Sequence, residues 1–423
     1  MKNAIIIKLL AFTLLAIIIN ACKKTDPDCD TCPCPACPRI TEILPNHGRP
    51  GDTLILNGEN FNEDRFLNLI TINDTLVQEI LEGTTTQLKV VVPEGATTGP
   101  VRIRINDDKA LSSDEIPDFN EPVFTFDHYV ELVAGRPGVQ GTLSAEPLNA
   151  TFFDPYKIAI NKINDSIYLT EQFNKRIRLI TKDSATTFYK DASGSQWDDV
   201  TQDFSGKVYF TDYNSSQTTG YRVRFIENGL AYTSVLSIPL SDKNLTGDIC
   251  IDEISGNMYF VWLKLNQPNK GFYFAKKNLN NGVVDTLVYF DPNYPGTILG
   301  AIKDIELHNN DIYFILSWSI IKLDSKNSYQ PDTIYSSPLG TLLGGLAVSK
   351  NGDVYFSKFH EIFKLSNGNE VSIAGSSVSG YNTTETVGSQ SLFKSIQDID
   401  FDINNNLYIV DAGNYCIRRL KID

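Results

Sequence analysis

From residue 155 onward the chain alternates apolar and polar positions in short runs, and the runs recur as a unit. Aligned on an apolar-Tyr-apolar centre they read "YKIAINKINDSIYLTEQFNKRIRLI", "DDVTQDFSGKVYFTDYNSSQTTGYRVRFI", "GDICIDEISGNMYFVWLKLNQPNKGFYFA", "KDIELHNNDIYFILSWSIIKL", "GGLAVSKNGDVYFSKFHEIFKL" and "QDIDFDINNNLYIVDAGNYCIRRLKI". Alternation with period two predicts strands half-buried in a sheet. The anchoring residues are Tyr168, Tyr209, Tyr259, Tyr313, Tyr355 and Tyr408, spaced 41 to 54 residues apart. That spacing suits one four-stranded unit plus loops, so six copies predict a six-bladed β-propeller over residues 128–423. Each unit reads as an inner strand, a tight polar turn such as "SKNGD" or "DFSGK", a second strand carrying the Tyr, a loop and a third strand. The outer fourth strand is the weakest in pattern.

The last unit poses a problem, because "CIRRLKID" runs to the C-terminus with no strand after it to cover its edge, and bare edges invite aggregation. The stretch "VELVAG" at 130–135 matches "VSIAG" at 371–375, the outer strand of the fifth unit. It is therefore predicted to supply the outer strand of the last blade (about 130–134), pairing with 416–421.

Ahead of the repeats, residues 39–127 carry short alternating strands (Thr53 to Leu56, Lys89 to Val92, Val101 to Ile105, and "FTF" at 124–126) between Gly and Pro turns. This predicts a small β-sandwich. Abundant Tyr (19) and Phe (23), and Gly, Asn, Asp, Ser and Thr between the apolar runs, agree with an all-β chain of more than one domain.

Particular residues carry two resemblances. Pro45, Gly48 and Gly51 before the strand at 53–56, Gly58 to Phe61 after it, and Val92-Pro93 followed by Gly99 make residues 39–127 resemble the IPT/TIG family of immunoglobulin-like domains. In exported bacterial proteins that family implies a spacer or interaction module. Gly135 closing "VELVAG", Phe153-Asp154-Pro155, and "YIVDAGNYCIRRL" with Asp411 and Asn414 resemble NHL repeats. The middle units lack the Pro and the Asp–Asn pair in places. NHL-type propellers serve as RNA binders, protein-interaction surfaces and, rarely, lyases, so the resemblance implies a fold and leaves the activity open.

The start, "MKNAIIIKLLAFTLLAIIINAC", has Lys2 and Lys8, an apolar run from Ile5 to Ile19, and Ala21 before Cys22. It reads as a secretory signal over residues 1–21 and resembles a lipoprotein signal, which implies lipidation at Cys22; a plain membrane anchor is the other reading. Residues 22–38 form a Cys/Pro-rich linker in which Cys29, Cys32, Cys34 and Cys37 are spaced C-x-x-C-x-C-x-x-C. Such thiols could bind metal or form local disulfides, while the prolines stiffen the segment. No His accompanies them, so no metal site is assigned. Cys250 and Cys416 lie on apolar strand patterns and read as core thiols. Removing residues 1–21 takes away two lysines and no acid, moving the net charge from −14 to −16. So acidic a body disfavours nucleic acid, and it leaves membrane attachment to the acyl chains.

The candidate chemistry lies on one predicted face. The loop between second and third strands carries an aromatic in every unit: Phe173, Tyr213, Trp262, Trp318, Phe359 and Tyr415. Trp197 lies at the start of an inner strand on the same side. Aromatic rings can stack on the apolar face of a sugar, or they can plug the gaps between blades. Asp199, Asp248, Asp304 and Asp398 share one position before the inner strand, with Lys157 and Gly345 there in the other two units. Such a partial ring could hold calcium or accept hydrogen bonds from ligand hydroxyls, or it could bond its own turns. Glu171, Asp212 and Asp411 align near Arg178, Arg222 and Arg418 and are expected to pair within their blades. His47, His128, His308 and His360 are scattered, and no Gly-rich phosphate loop or nucleophile elbow is present.

Together these features resemble the modular IPT/TIG–NHL lipoproteins of Bacteroidota, which are thought to accompany outer-membrane glycan uptake. The expectation is a non-catalytic lipoprotein of the outer membrane, displayed at the cell surface and capturing a polysaccharide or oligosaccharide beside transporter proteins. A protein-interaction scaffold or adhesin is the alternative, and a lyase or hydrolase a third reading.

Overall fold

The computed structural model describes residues 37–105, 121–191, 196–203, 205–213, 221–233, 243–252, 254–264, 271–291, 302–338, 341–382 and 386–422. Cys22, Cys29, Cys32 and Cys34 lie outside them, as does the whole signal segment. The described residues are all-β, broken only by three-residue 3-10 turns, and no helix among them is long and apolar enough to cross a membrane. The chain divides into two compact units between Asp127 and His128.

The first unit has two sheets. One orders Arg39–Leu44, Thr53–Glu59, Gln87–Val91 and Ile80–Gly83; the other orders His47–Gly48, Val123–Phe126, Gly99–Ile105, Asn68–Ile72 and Thr75–Leu76. Alternate residues of each are buried, among them Leu54, Leu56, Leu88 and Val90 in the first sheet and Ile70, Ile72, Val101, Ile103 and Phe124 in the second. One buried face per sheet is the pattern two facing sheets require.

The second unit is propeller-like, and its described residues form six antiparallel sheets. The first five are consecutive four-stranded meanders with inner strands Pro155–Ile160, Trp197–Gln202, Lys243–Asp252, Ile302–His308 and Leu346–Val348. The sixth runs outward from Ile396–Phe401 through Leu407–Asp411 and Cys416–Lys421 to Tyr129–Ala134, with Thr386–Val387 beyond. Tyr129 pairs with Lys421 and Val130 with Leu420, so the strand at 129–134 covers the edge left by the C-terminal strand.

Each sheet buries both faces against its neighbours. Six apolar clusters each join two successive sheets, and one of them joins the sixth to the first through Phe152, Ile158, Leu169, Tyr408 and Val410. The repeating tyrosine explains itself here: Tyr168, Tyr209, Tyr259, Tyr313, Tyr355 and Tyr408 are all buried, each in the cluster shared with the following sheet. The inner strands pack in the same succession, the last against the first.

Val130 is fully buried against Leu420, Ile409 and Ala374. Placing a carboxylate there leaves it without a partner in an apolar layer, so Val130→Asp should cost at least about 4 kcal/mol. A urea titration of the second unit reads this directly, with Glu131→Gln on the same strand as the mild comparison.

Candidate functional site

Five of the six inner strands begin with a β-bulge, at Pro155/Ile158, Trp197/Val200, Leu245/Ile249, Lys303/Ile305 and Ile396/Asp398. A bulge adds one residue to a strand and re-aims its side chain. Here the re-aimed residues are Lys157, Asp199, Asp248, Asp304 and Asp398, which converge where the inner strands meet. Asp304 adopts φ 58°, a left-handed conformation that is rare outside glycine. In the fifth sheet Gly345 takes the position, and a Cβ there would lie 2.6 Å from the backbone nitrogen of Ile399. Only glycine fits so close an approach.

The position before the inner strand, read above as a partial ring open to calcium or to ligand hydroxyls or as a set of turn-bonding acids, is closed off from solvent. Asp199, Asp248, Asp304 and Asp398 are all buried, and so is Lys157. The Lys157 ammonium lies 2.6 Å from Asp304, 3.2 Å from Asp398 and 3.5 Å from Asp248. Three of the four acids also reach the next sheet: Asp398 accepts from the Ile158 N–H at 2.8 Å, Asp199 from the Ile249 N–H at 2.8 Å, and Asp304 from the Leu346 N–H. Buried hydroxyls add to the stitching, since Thr170 accepts from the Lys157 N–H and donates to the Asp198 carbonyl, and Thr211 does the same between Asp199 and Gly247. These carboxylates therefore bind sheet to sheet, and the cation among them is the protein's own lysine. Among the described residues no group of three acidic, His or Cys side chains is arranged to hold a metal ion.

The electrostatics follow from four acids around one lysine. Burial alone would depress the Lys157 ammonium, but Asp304, Asp398, Asp248 and Asp199 outweigh it and hold its pKa well above the ordinary range. Burial raises Asp199 and Asp398 far above ordinary carboxylates, with Asp248 adding to the first and Asp304 to the second. Asp248 is pushed up to about 6, by burial first and by Asp304 against the pull of Lys157.

Two positions farther along each inner strand comes a second layer: Ala159, Thr201, Cys250, Glu306, Ala347 and Asp400. Small side chains here leave a chamber of about 330 Å³ beneath the plug, lined by five of these six together with isoleucines of the inner strands. Asp400 accepts from the Ile160 N–H at 3.0 Å and pairs with Lys162 at 3.0 Å. Glu306 has no hydrogen bond or ion pair among the described residues, and burial, aided by Asp400 and Asp304, raises its carboxyl well above the ordinary range. Sequence reasoning missed this layer, although its signal was present as the same strand register shifted by two. Cys250, read as core, lines this chamber; Cys416 is core.

The aromatic positions separate into two groups. Trp197 is fully buried, parallel to Tyr189 at 5.6 Å and against Phe210 at 4.8 Å, and it fills the gap between the first and second sheets. Trp262 is buried and stacked on Tyr273 at 4.1 Å. Neither ring offers a free face, because a large ring on an inner or second strand is the natural filler between sheets. The others reach outward: Phe173 is 64% exposed, Phe359 63% and Tyr213 39%, while Trp318 and Tyr415 are half-buried. Phe359 and Tyr415 hold φ 51° and 57°, a conformation that costs a β-carbon-bearing residue about 1–2 kcal/mol. The expected acid–Arg pairs form within their sheets: Glu171 with Arg178 at 3.1 Å, Asp411 with Arg418 at 3.6 Å, and Asp212 with Arg222.

An all-β chain with a propeller-like second unit is thus the class this geometry defines. Within it, residues 38–117 match the IPT/TIG domain family. Among solved structures, a Bacteroides thetaiotaomicron protein of unknown function is similar at TM-score 0.58 and 17% identity, covering 93% of this chain and all of that one. Two structures described as auxiliary nutrient binding proteins are also similar. The one from Bacteroides thetaiotaomicron has TM-score 0.55 and 18% identity over 94% of this chain and 98% of its own; the one from Bacteroides ovatus has 0.57 and 16% over 91% and 97%. At such identities the likeness is one of fold. Comparison with curated proteins finds no match.

The plug gives a prediction with a sign. Lys157→Met strands buried carboxylates and should cost about 3–5 kcal/mol at pH 7.5, and less at pH 5, where the acids take up protons. Asp248 titrates near 6 folded against an ordinary 3.8, so the folded state holds the extra proton between those values. Its contribution therefore grows as pH falls from 7 to 4 and is lost as pH rises through 6. Asp248→Asn should flatten that part of the profile and raise the urea midpoint at pH 8.

Proposed function

We propose that the protein is a non-catalytic nutrient-binding lipoprotein whose second unit is a closed, six-bladed, NHL-type propeller that captures a polysaccharide or oligosaccharide. The carrying observation is the set of aromatic rings where the second strand turns into the third in five of the six sheets: Phe173, Tyr213, Trp318, Phe359 and Tyr415, three of them exposed and two half-buried. Water-exposed rings are unfavourable unless something covers them, and two of these are held in a strained backbone conformation, as happens where geometry serves a ligand. A sugar ring presents a flat C–H face of the right size for such a platform. The fold shared with auxiliary nutrient binding proteins agrees with this reading.

The closure and blade number are supported by the six inter-sheet clusters and by the pairing of 129–134 with the C-terminal strand. On this reading Cys22 carries the lipid, the chain is exported to the outer membrane surface, and the IPT/TIG unit is a spacer toward a transporter partner. The scaffold alternative has no observation of its own to favour it. Calcium is not required, because Lys157 already supplies the positive charge among the aspartates.

Affinity electrophoresis against plant, microbial and host polysaccharides tests the capture reading, with reducing-end release assayed alongside. Retardation without release is expected, and Trp318→Ala or Phe359→Ala should each weaken it about tenfold, equivalent to about 1.4 kcal/mol. Trp262→Ala should act on stability instead. No retardation by any glycan, or retardation unchanged in both variants, would overturn the proposal.

A further inference from the structure

The chamber beneath the plug is separate from the aromatic loops, and its chemistry is different. Its wall combines branched apolar side chains, including Ile160, Ile249 and Ile305, with the carboxylates of Glu306 and Asp400. At about 330 Å³ it falls at the small end of ligand pockets, which run from about 300 to 1,000 Å³. The charges facing it are unbalanced. Above lie Asp199, Asp248, Asp304 and Asp398 against Lys157 and the half-buried Lys303; beside it lie Glu306 and Asp400 against Lys162.

Nearly every acid in this set is already engaged. Asp304 and Asp398 bond Lys157 and a backbone N–H each. Asp199 accepts from Val200 and Ile249, Asp400 holds Lys162 and Ile160, and Asp252, at the lower rim, accepts from its own turn. Glu306 is the exception: its carboxylate projects into the chamber with no hydrogen-bond or ion-pair partner among the described residues. An unpartnered carboxyl in so acid-rich a space holds its proton more tightly than an ordinary acid, and an ammonium that pairs with it would drive that proton off. One uncommitted carboxylate cannot supply the six to eight oxygens a calcium ion takes, whereas it is sufficient for a single ammonium, whose hydrocarbon body would lie along the isoleucines.

We infer that this chamber is a second binding site, for a small organic amine, with Glu306 as the group that receives the ammonium. The inference stands apart from glycan capture at the aromatic loops. Either site can fail alone.

Isothermal titration of the full chain with paired probes tests it: glucosamine against glucose, and 1,4-diaminobutane against 1,4-butanediol, with calcium chloride run separately. The expected result is that at least one amine binds ten times or more tighter than its neutral counterpart, and that Glu306→Gln removes this preference while keeping the wild-type unfolding midpoint. Equal binding of amine and neutral probe, no binding by either amine, a response to calcium alone, or a preference that survives in Glu306→Gln would each overturn it. The paired comparison on the unaltered chain decides the matter even if the variant fails to fold.

Discussion

The second unit depends on one buried ion cluster. Six sheets bring their inner strands together at a point where backbone N–H groups of neighbouring sheets would otherwise face one another without acceptors. Aspartates turned inward by bulges supply those acceptors across three of the junctions, at Ile158, Ile249 and Leu346. The arrangement packs four carboxyls into one buried space, which is electrostatically costly on its own. Lys157, from the first sheet, makes it tenable by pairing with three of them at once, and Gly345 in the fifth sheet makes room where another side chain would collide with Ile399.

This has consequences for where a ligand can bind. A plug that joins the sheets is not available to hold a ligand, so both proposed sites lie to either side of it. On one side the loops present Phe173, Phe359 and Tyr213 to solvent. On the other, Ala159, Thr201 and Cys250 on the inner strands leave a chamber whose wall holds Glu306, an acid with no hydrogen-bond or ion-pair partner among the described residues. Both derive from the same strand register: one layer of side chains binds the sheets together, and the layer after it is spared that task.

The acid–Arg pairs belong to the same economy of buried charge. Glu171, Asp212 and Asp411 lie at or one residue before the ends of the second strands and would be isolated in the layer between sheets. Arg178, Arg222 and Arg418 lie opposite or diagonal on the third strand, close enough to pair without distorting the ladder. Arg178 also caps carbonyls at Thr151 and Leu143, so the guanidinium fixes the loop leading into the first sheet.

Much of the fold was legible in the sequence because strand alternation and a repeated tyrosine are local signals. The six units, the acid–Arg partners and the match between 130–135 and 371–375 needed no knowledge of distant contacts. The candidate site was legible only as a set of positions. Trp262 and Phe359 share one aligned position, yet one is buried and stacked on Tyr273 and the other stands in water. Asp199, Asp304 and Asp398 were visible as a column, and Lys157 beside them as an exception to it. That the exception is their counter-ion depends on residues 147 and 241 positions apart meeting at one point. Periodicity is encoded within a few residues of itself, whereas burial and charge pairing are properties of what arrives from elsewhere in the chain. The sequence by itself therefore determined which strands form and how often, and the tertiary structure alone decided which side chains hold the sheets together and which face the surface.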